Sequence, residues 1–526
     1  MADKDAIRWS PGVELSKVEE AICKRCHRTG RLFSFLRRHR HELFDEAFQE
    51  ELTVMYADSP LGQPPRPPAL LGLVTILQAA HGVSDAAAVE EAMFDRRWQM
   101  VLGCIGTETP PFSQGSLVDF RRRLMENGLH HRLVERSVEL AKATGGFGYK
   151  NLRVALDSAP LWGAGRVEDT FNLIGHALDV VVSCAAHAAQ LSPEAVREGA
   201  ALEVLGGTSI KASLDIDWDD KREQHRALQR LLADVRRLRE WLGVHLRAHV
   251  GEPPLRDALD QLERVIGQDL EPDPDNGGSR IARGTARDRQ ISISDPEMRH
   301  GRKSRSQVIK GYKRFIAREL DHGLIVGVTV QPANQPERDA TETLREQASA
   351  FGDVVELHID RGFLASEWAK DVHERGDVVS CRPWPTRNRG LFGKQDFELD
   401  LEAGTARCPG GVTTQIGEKS ARFPAKSCDA CPLRARCTRA KEGRGRVVSI
   451  HPQEDLLAEL RGQKATKEGR KRLRERVAVE HGLAHICNRQ GRRARYVGVD
   501  KNVLDLCRYA VVENLFAADR AERRAA

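Results

Sequence analysis

Asp157, Asp360 and Glu480 lie far apart in the chain, each placed where a carboxylate could serve a divalent cation. Asp157 ends the run Leu152-Arg153-Val154-Ala155-Leu156-Asp157, and Asp360 ends Val354-Val355-Glu356-Leu357-His358-Ile359-Asp360. Glu480 sits within Arg474-Glu475-Arg476-Val477-Ala478-Val479-Glu480-His481. The first two read as strand ends, the third as a helix face. Carboxylates suit Mg2+ because the ion is hard and prefers oxygen. Several of them within a few ångströms can hold two ions about 3.5–4 Å apart, an arrangement that cuts and rejoins phosphodiesters. Taken singly, each acid has an ordinary explanation. Strand-end Asp residues form turns by accepting local backbone hydrogen bonds, and a helix Glu is commonly just solvated.

Other acids are weaker candidates. Asp215, Asp217, Asp219 and Asp220 cluster at the expected start of a helix, where acids suit the helix dipole. Asp273-Pro274-Asp275 mimics part of a calcium loop, but prolines occupy the wrong places and no downstream Glu closes it. Cysteines offer a second kind of site. Cys408, Cys428, Cys431 and Cys437 fall on a turn-rich segment with Pro409, Gly410, Gly411, Pro424 and Pro432. Four thiolates can close a tetrahedral zinc site that folds a small module lacking a core of its own. The other reading is free thiols in a reducing compartment. Cys23-Lys24-Arg25-Cys26-His27 matches a haem-attachment pattern, but it lies on a helical segment of a chain without an export signal and reads as a chance match.

The elements that must position these groups follow from periodicity. Residues 12 to about 143 read as helical, broken by the Pro-rich stretch Gln63–Pro68 and closed by a hinge at Gly145-Gly146-Phe147-Gly148. Ser113 and Ser116 are candidate caps for the basic helix Asp119-Phe120-Arg121-Arg122-Arg123-Leu124. From 151 the period becomes two, a strand ending near Asp157. Helical periodicity returns over about 166–206 and 219–268, with Leu228, Leu231, Val235, Leu238 and Leu242 at heptad-like spacing. Strands follow at Val308–Phe315 and Leu324–Val330, then a helix over 337–350, the Asp360 strand, a helix over 365–375 and a strand at Asp377–Cys381. Helices occupy 453–489 and 500–518. Without the inserted helices, this order fits an α/β mixed sheet flanked by helices, as in RNase H-like cores.

The bulk numbers agree with a multi-unit chain: 526 residues, 40% hydrophobic, 30% charged, mean hydropathy −0.47. No apolar run is read as the roughly 18–20 residues of a membrane span. The sequence Met1-Ala2-Asp3-Lys4-Asp5 lacks the pattern of a secretory signal, so a cytoplasmic protein is expected. Eleven cysteines, an odd number, argue for reduced thiols rather than a disulfide framework. Net charge is +6, crowded into 279–318 and 461–508, which favours a polyanionic partner. Lys464, Lys467, Arg470, Lys471, Arg472, Arg474 and Arg476, then Arg489, Arg492, Arg493, Arg495, Tyr496 and Lys501, form a candidate phosphate-contacting surface around the Glu480 helix. His300–Ser306 reads as a DNA-contacting loop, and Arg121, Arg122 and Arg123 as residues beside a recognition helix. The solvated-face alternative stands beside each of these.

Residues 151–176, including Pro160-Leu161-Trp162-Gly163-Ala164-Gly165, closely resemble the first-Asp block of DDE transposases from bacterial insertion sequences. His358-Ile359-Asp360-Arg361-Gly362-Phe363 is similar to their second-Asp block, and Arg476 to Glu480 to their Arg-x-x-x-Glu signature. Arg493 to Gly498 and Lys501-Asn502 resemble the family's tail, and similar cysteine clusters occur before the catalytic Glu in this group. Leu473 and Cys487 stand where the family often has Tyr and Lys, so the DNA contacts of those side chains are either missing or supplied by neighbours such as Arg472 and Arg489.

The resemblance implies a transposase. Asp157, Asp360 and Glu480 would bind two Mg2+ (or Mn2+) ions, and Cys408, Cys428, Cys431 and Cys437 form a candidate structural Zn2+ site. The enzyme would nick the element's ends and join the freed 3′-hydroxyls to target DNA, as a homodimer or larger assembly on paired terminal inverted repeats, nucleoid-associated when bound. The implied domains are an N-terminal helical DNA-binding domain (1–147), an RNase H-like core (148–490) with a helical insert (about 166–300) and a Cys-rich module (about 400–445), and a basic helical tail (491–526). A transposase-derived DNA-binding protein without activity, and a metal-dependent nuclease without strand transfer, share these residues.

Overall fold

The computed structural model describes residues 7–26, 30–56, 65–145, 150–205, 210–275, 277–302, 307–384 and 388–525. Gln63 and Pro64 of the Pro-rich break, Gly146, Phe147 and Gly148 of the hinge, His27 of the haem-like motif and 303–306 of the basic loop lie outside the described residues. At the centre is a six-stranded mixed sheet built from β1 (Asn151–Trp162), β2 (Arg299–Arg302), β3 (Val308–Glu319), β4 (Ile325–Pro332), β5 (Asp353–Ile359) and β6 (Val378–Cys381). The order is β2-β3-β1-β5-β6, with β4 also paired to β3. Pairing is antiparallel between β1 and β3 and between β3 and β4, but parallel between β1 and β5 and between β5 and β6. A mixed α/β sheet of this order is compatible with the RNase H-like core expected from the sequence.

The strand positions follow the sequence closely, with instructive differences. β4 shows residues 325–330 all buried, not the alternation its sequence suggests. Helices cover both of its faces: α1 (Thr341–Ser349) and the long α2 (Val499–Ala525) pack against it. A strand covered on both sides selects for continuous apolarity. β2 has no apolar run to announce it; Gly301 lies so close to the chain after β4 that a Cβ there would sit 2.0 Å from the Ala333 carbonyl oxygen.

The C-terminal helix also departs from expectation. Its sequence reads as part of a basic tail, yet α2 buries every residue from Asn502 to Leu515. Asn514 is fully matched deep inside: its amide donates to the Ile325 carbonyl and Ser137 hydroxyl at 2.9 Å each and accepts the Ile325 N–H at 2.7 Å. One apolar core therefore runs from Trp9 through the N-terminal helices and the sheet to Ala518, crossing residues 147 and 490. Two smaller cores stand apart, one over residues 171–293 and one built on Phe397, Ala406, Ala421, Phe423 and Val448.

The second core belongs to the inserted helices, among them α3 (Thr170–Ala189), α4 (Lys221–His245) and α5 (Leu255–Asp269). Leu228, Leu231, Val235, Leu238 and Leu242 are buried in it as their spacing predicts. Asp220 caps α4 and Asp217 accepts the Asp219 N–H, so the aspartate cluster is a turn and a cap. Contrary to the sequence reading, α3 has the length and apolarity of a membrane span, with mean hydropathy 1.3, but its apolar side chains fill this insert core.

Candidate active site

The parallel register of β1 and β5 sets the two aspartates. Ala155 pairs with His358, so two residues further the two strands deliver their carboxylates: Asp360 directly after β5, and Asp157 in the middle of β1, which runs on to Trp162 instead of ending near Asp157 as the sequence suggests. The third acid comes from α6 (Val477–Gln490), which packs against β1 and β3. Arg476, at its N-cap, lies between the acids: Nη1 is 3.3 Å from Asp157 Oδ1 and Nη2 is 3.1 Å from Glu480 Oε1. Asp157, Asp360, Glu480 and Arg476 line one cavity of about 670 Å³. Asp360, Arg476 and Glu480 also border a second, of about 560 Å³, with Arg361, Arg382 and Arg474.

Asp157 is more enclosed than Glu480, its side chain 15% exposed against 48%. Burial pushes its pKa up, to about 6, and nearby Asp360 and Glu480 push the same way; Arg476 and the Ser158 N–H oppose them. A carboxylate crowded by two others and held by one guanidinium is a site that gains from added positive charge. The donors are all hard oxygens, and the set suits Mg2+ or Mn2+. Among the described residues, the group of three whose ligand atoms all fall within 4.8 Å is instead Glu356, His358 and Glu475. There Arg153 Nε is 2.9 Å from Glu356 Oε2, Arg472 Nε is 3.1 Å from Glu356 Oε1, and Arg153 also pairs with Glu475. Two guanidiniums already fill the place a cation would take. That cluster is an ion-pair network behind the strand ends.

Sequence reading missed a fourth acid. Glu337 lines the same cavity, and its Oε1 accepts a 2.6 Å hydrogen bond from the Ser158 hydroxyl, one residue past Asp157. Its Oε2 fills space left by Gly362, where a Cβ would sit 1.8 Å away, while the Gly362 N–H donates to Asp360 Oδ1 at 2.8 Å. Glu337 thus bridges the two aspartate segments. It opens the short helix Glu337–Ala340, where an acid is ordinary, and only the strand-end position of the preceding loop could have flagged it.

The expected DNA-contacting residues fall into distinct surroundings. Arg121 is buried, 2.6 Å from Asp85, and serves the packing of the N-terminal helices; that expectation is corrected, because its guanidinium is committed inside. Arg122 is exposed and pairs with Asp119 and Glu126; Arg123 pairs with Asp119 and covers the Tyr56 ring. Ser113 caps this helix through the Ser116 N–H. Arg489 lies near Glu513 and over Phe516. The Arg492 carbonyl accepts the Trp162 N–H at 2.9 Å, fastening the segment before α2 to the end of β1. Arg493 and Arg495 donate to the carbonyls of Ala164 and Gly82, and Tyr496 lies under Arg508. Lys501 is exposed beside Arg122 in a separate hollow.

The four cysteines share one cavity, though no three of their sulfurs all lie within 4.8 Å of one another. Cys408, Cys428, Cys431 and Cys437 line a single small cavity of about 30 Å³, formed between short strands and the turns around Gly410 and Gly411. A Cβ on Gly410 would sit 3.1 Å from the Cys431 sulfur and 3.7 Å from that of Cys408. Burial pushes the Cys437 thiol up. Cys23 and Cys26 lie at the end of the helix Lys17–Arg25, with the Cys23 sulfur 3.6 Å from that of Met100.

Two family models match the chain. Residues 411–517 match a transposase DDE domain, and residues 31–123 match a transposase domain (DUF772). The first takes in Arg476, Glu480 and three of the four cysteines; Asp157 and Asp360 lie outside both matched segments. Neither the curated proteins nor the solved structures yield a match.

Proposed function

Because the chain belongs to the DDE-type transposases of insertion sequences, we propose that it cleaves DNA at element ends and joins the 3′-hydroxyls to target DNA at the Asp157–Asp360–Glu480 site. The observation that carries this reading is the β1–β5 register, which sets two carboxylates side by side beneath a third from α6. Bound between these acids, two divalent cations would supply activation of the attacking oxygen and stabilisation of the leaving one. Asp157, Asp360 and Glu480 would hold them.

The chain's own groups do the positioning. Arg476 spans Asp157 and Glu480 and keeps the acids from splaying apart. The Gly362 N–H fixes the Asp360 carboxylate, and Glu337 holds the Ser158 hydroxyl beside Asp157. Guanidiniums at Arg361, Arg382 and Arg474 face the adjoining cavity and suit the phosphates of a bound strand. The RNase H-like core carries this site, the small module holds a structural zinc ion through Cys408, Cys428, Cys431 and Cys437, and the active form is a dimer or larger on paired DNA ends.

The test is incubation of purified chain with Mg2+ and a duplex carrying the DNA that flanks its coding sequence. Cleaved ends and joined products are expected, and both should vanish in Asp157→Ala, Asp360→Ala and Glu480→Ala while duplex binding persists. Nicking without joined products would mean a nuclease. Full activity in any of the three variants would overturn the site.

A further inference from the structure

A third cavity, of about 600 Å³, opens beside the catalytic one and shares Arg302, Lys313 and Pro336 with it. One wall comes from the insert, at residues 285–289; the other comes from β2, β3 and the chain leaving β4. Asn334 joins the two, its amide donating to the Arg287 carbonyl at 3.4 Å and to Asp288 Oδ1 at 2.9 Å. Gly301 lets β2 lie against the Ala333 carbonyl and so forms a close-packed floor.

The lining is cationic, and its charges divide into two kinds. Arg289 is committed to Asp269 at 2.5 Å and Arg299 to Asp288 at 2.8 Å; both serve the architecture. Arg287, Arg302 and Lys313 have no carboxylate within 4.0 Å among the described residues, Lys313 donating only to the Gln335 carbonyl at 2.9 Å. Lys313 stands opposite Pro160 on β1, three residues beyond Asp157, and Arg287 is exposed at the insert's edge. A line of uncompensated cations thus leads away from the catalytic acids, with its far end on the insert.

We propose that this trough binds the phosphodiester backbone of the DNA strand running out from the scissile phosphate, which makes the insert a DNA-binding arm. The proposal rests on the transposase reading for its ligand and on the shared wall of the two cavities for its place. Phosphate is the fitting ligand because three neighbouring cations without counter-charges gain most from a polyanion that releases its own counterions on binding.

The experiment measures binding of the flanking-DNA duplex by fluorescence anisotropy over a range of salt concentrations, using full-length Asp157→Ala protein without divalent metal. Adding Arg287→Ala, Arg302→Ala and Lys313→Ala should flatten the plot of log affinity against log salt by about 0.9 for each phosphate left unneutralised, about 2.7 for all three. An unchanged slope overturns the proposal. A photo-crosslinking amino acid in place of Arg287 alone should label nucleotides next to the cleavage junction, and labelling only at distant nucleotides overturns it as well. Cleavage and joining by the unaltered chain test the transposase reading separately, so an altered slope in a chain that joins nothing would sink that reading and leave the trough standing.

Discussion

Gly362→Ala should slow catalysis by displacing Glu337 rather than by disturbing the fold. The backbone at Gly362 is not left-handed, so alanine meets no torsional strain there. The obstacle is space: the new Cβ would lie 1.8 Å from Glu337 Oε2. Ordinary contact begins near 3.4 Å, so the carboxylate must retreat by 3.4 − 1.8, or about 1.6 Å. O–H···O bonds span only about 2.5–3.0 Å, so the 2.6 Å bond from Ser158 is lost. A hydrogen bond to a charged group contributes about 1.5–3 kcal/mol. If that loss falls on the transition state, single-turnover cleavage drops about 10- to 150-fold. Glu337→Ala should fall by a similar factor. The decisive measurement is the double variant: with the Glu337 carboxylate gone, the nearest remaining group is Asp360 Oδ1 at 3.1 Å, which needs to give only slightly, so the double should be little slower than Glu337→Ala. Melting temperatures should stay close to the parent throughout. Multiplicative rate losses would refute the idea that Gly362 acts through Glu337.

Asp505→Ala should destabilise the chain by about 3–5 kcal/mol, read by denaturant unfolding, because it strands the buried Arg508 guanidinium and removes the acceptor of the Gln490 amide at 2.9 Å. At Glu19 burial raises the pKa, but the bonds from Arg37 and Ser16 outweigh it and bring the carboxyl to about 2. A folded value below the unfolded one stabilises fully above about 4.5, and that stability is lost as pH falls toward about 2. Glu19→Gln should therefore cost up to about 3 kcal/mol at neutral pH and much less near pH 2, and an equal cost at both would contradict the ion-pair account. Cys428→Ser with Cys431→Ser should abolish zinc in elemental analysis of the purified protein and lower the melting temperature; a parent chain purified without chelators but holding no zinc would argue for plain buried thiols.

Much of the sheet was legible because its strands obey a simple period. Leu152, Val154 and Leu156 announce β1, and Asp360 directly follows β5 as expected, whereas β1 runs past Asp157 to Trp162 because β3 pairs with it that far. What the sequence does not carry is which strand lies beside which. The parallel register of β1 and β5 joins residues some two hundred positions apart, and neither strand's local pattern specifies that pairing. Glu337 is illegible for the same reason: its partners, Ser158 and Gly362, sit on two other segments. Glu480 says little as a lone helix residue, and becomes intelligible once Arg476 links it to Asp157.

Charge misled where burial reversed its meaning. Arg121 and Arg508 sit in stretches that read as basic surface, yet both are buried on carboxylates, Asp85 and Asp505. A count of Lys and Arg cannot separate a guanidinium that pairs inward from one that faces solvent, because both satisfy the same local sequence. The separation comes from the partner, which can be distant in the chain: Asp85 lies 36 residues from Arg121. The same sorting locates the cations beside the catalytic cavity. Arg289 and Arg299 have carboxylate partners, whereas Arg287, Arg302 and Lys313 lack a neighbouring carboxylate among the described residues. Net positive charge is therefore a weak guide to where DNA lies, and a better one once paired charges are subtracted. In the cavity shared with the insert, what remains after subtraction is the short row of Arg287, Arg302 and Lys313 leading to the acidic site, the row proposed above to hold a DNA strand.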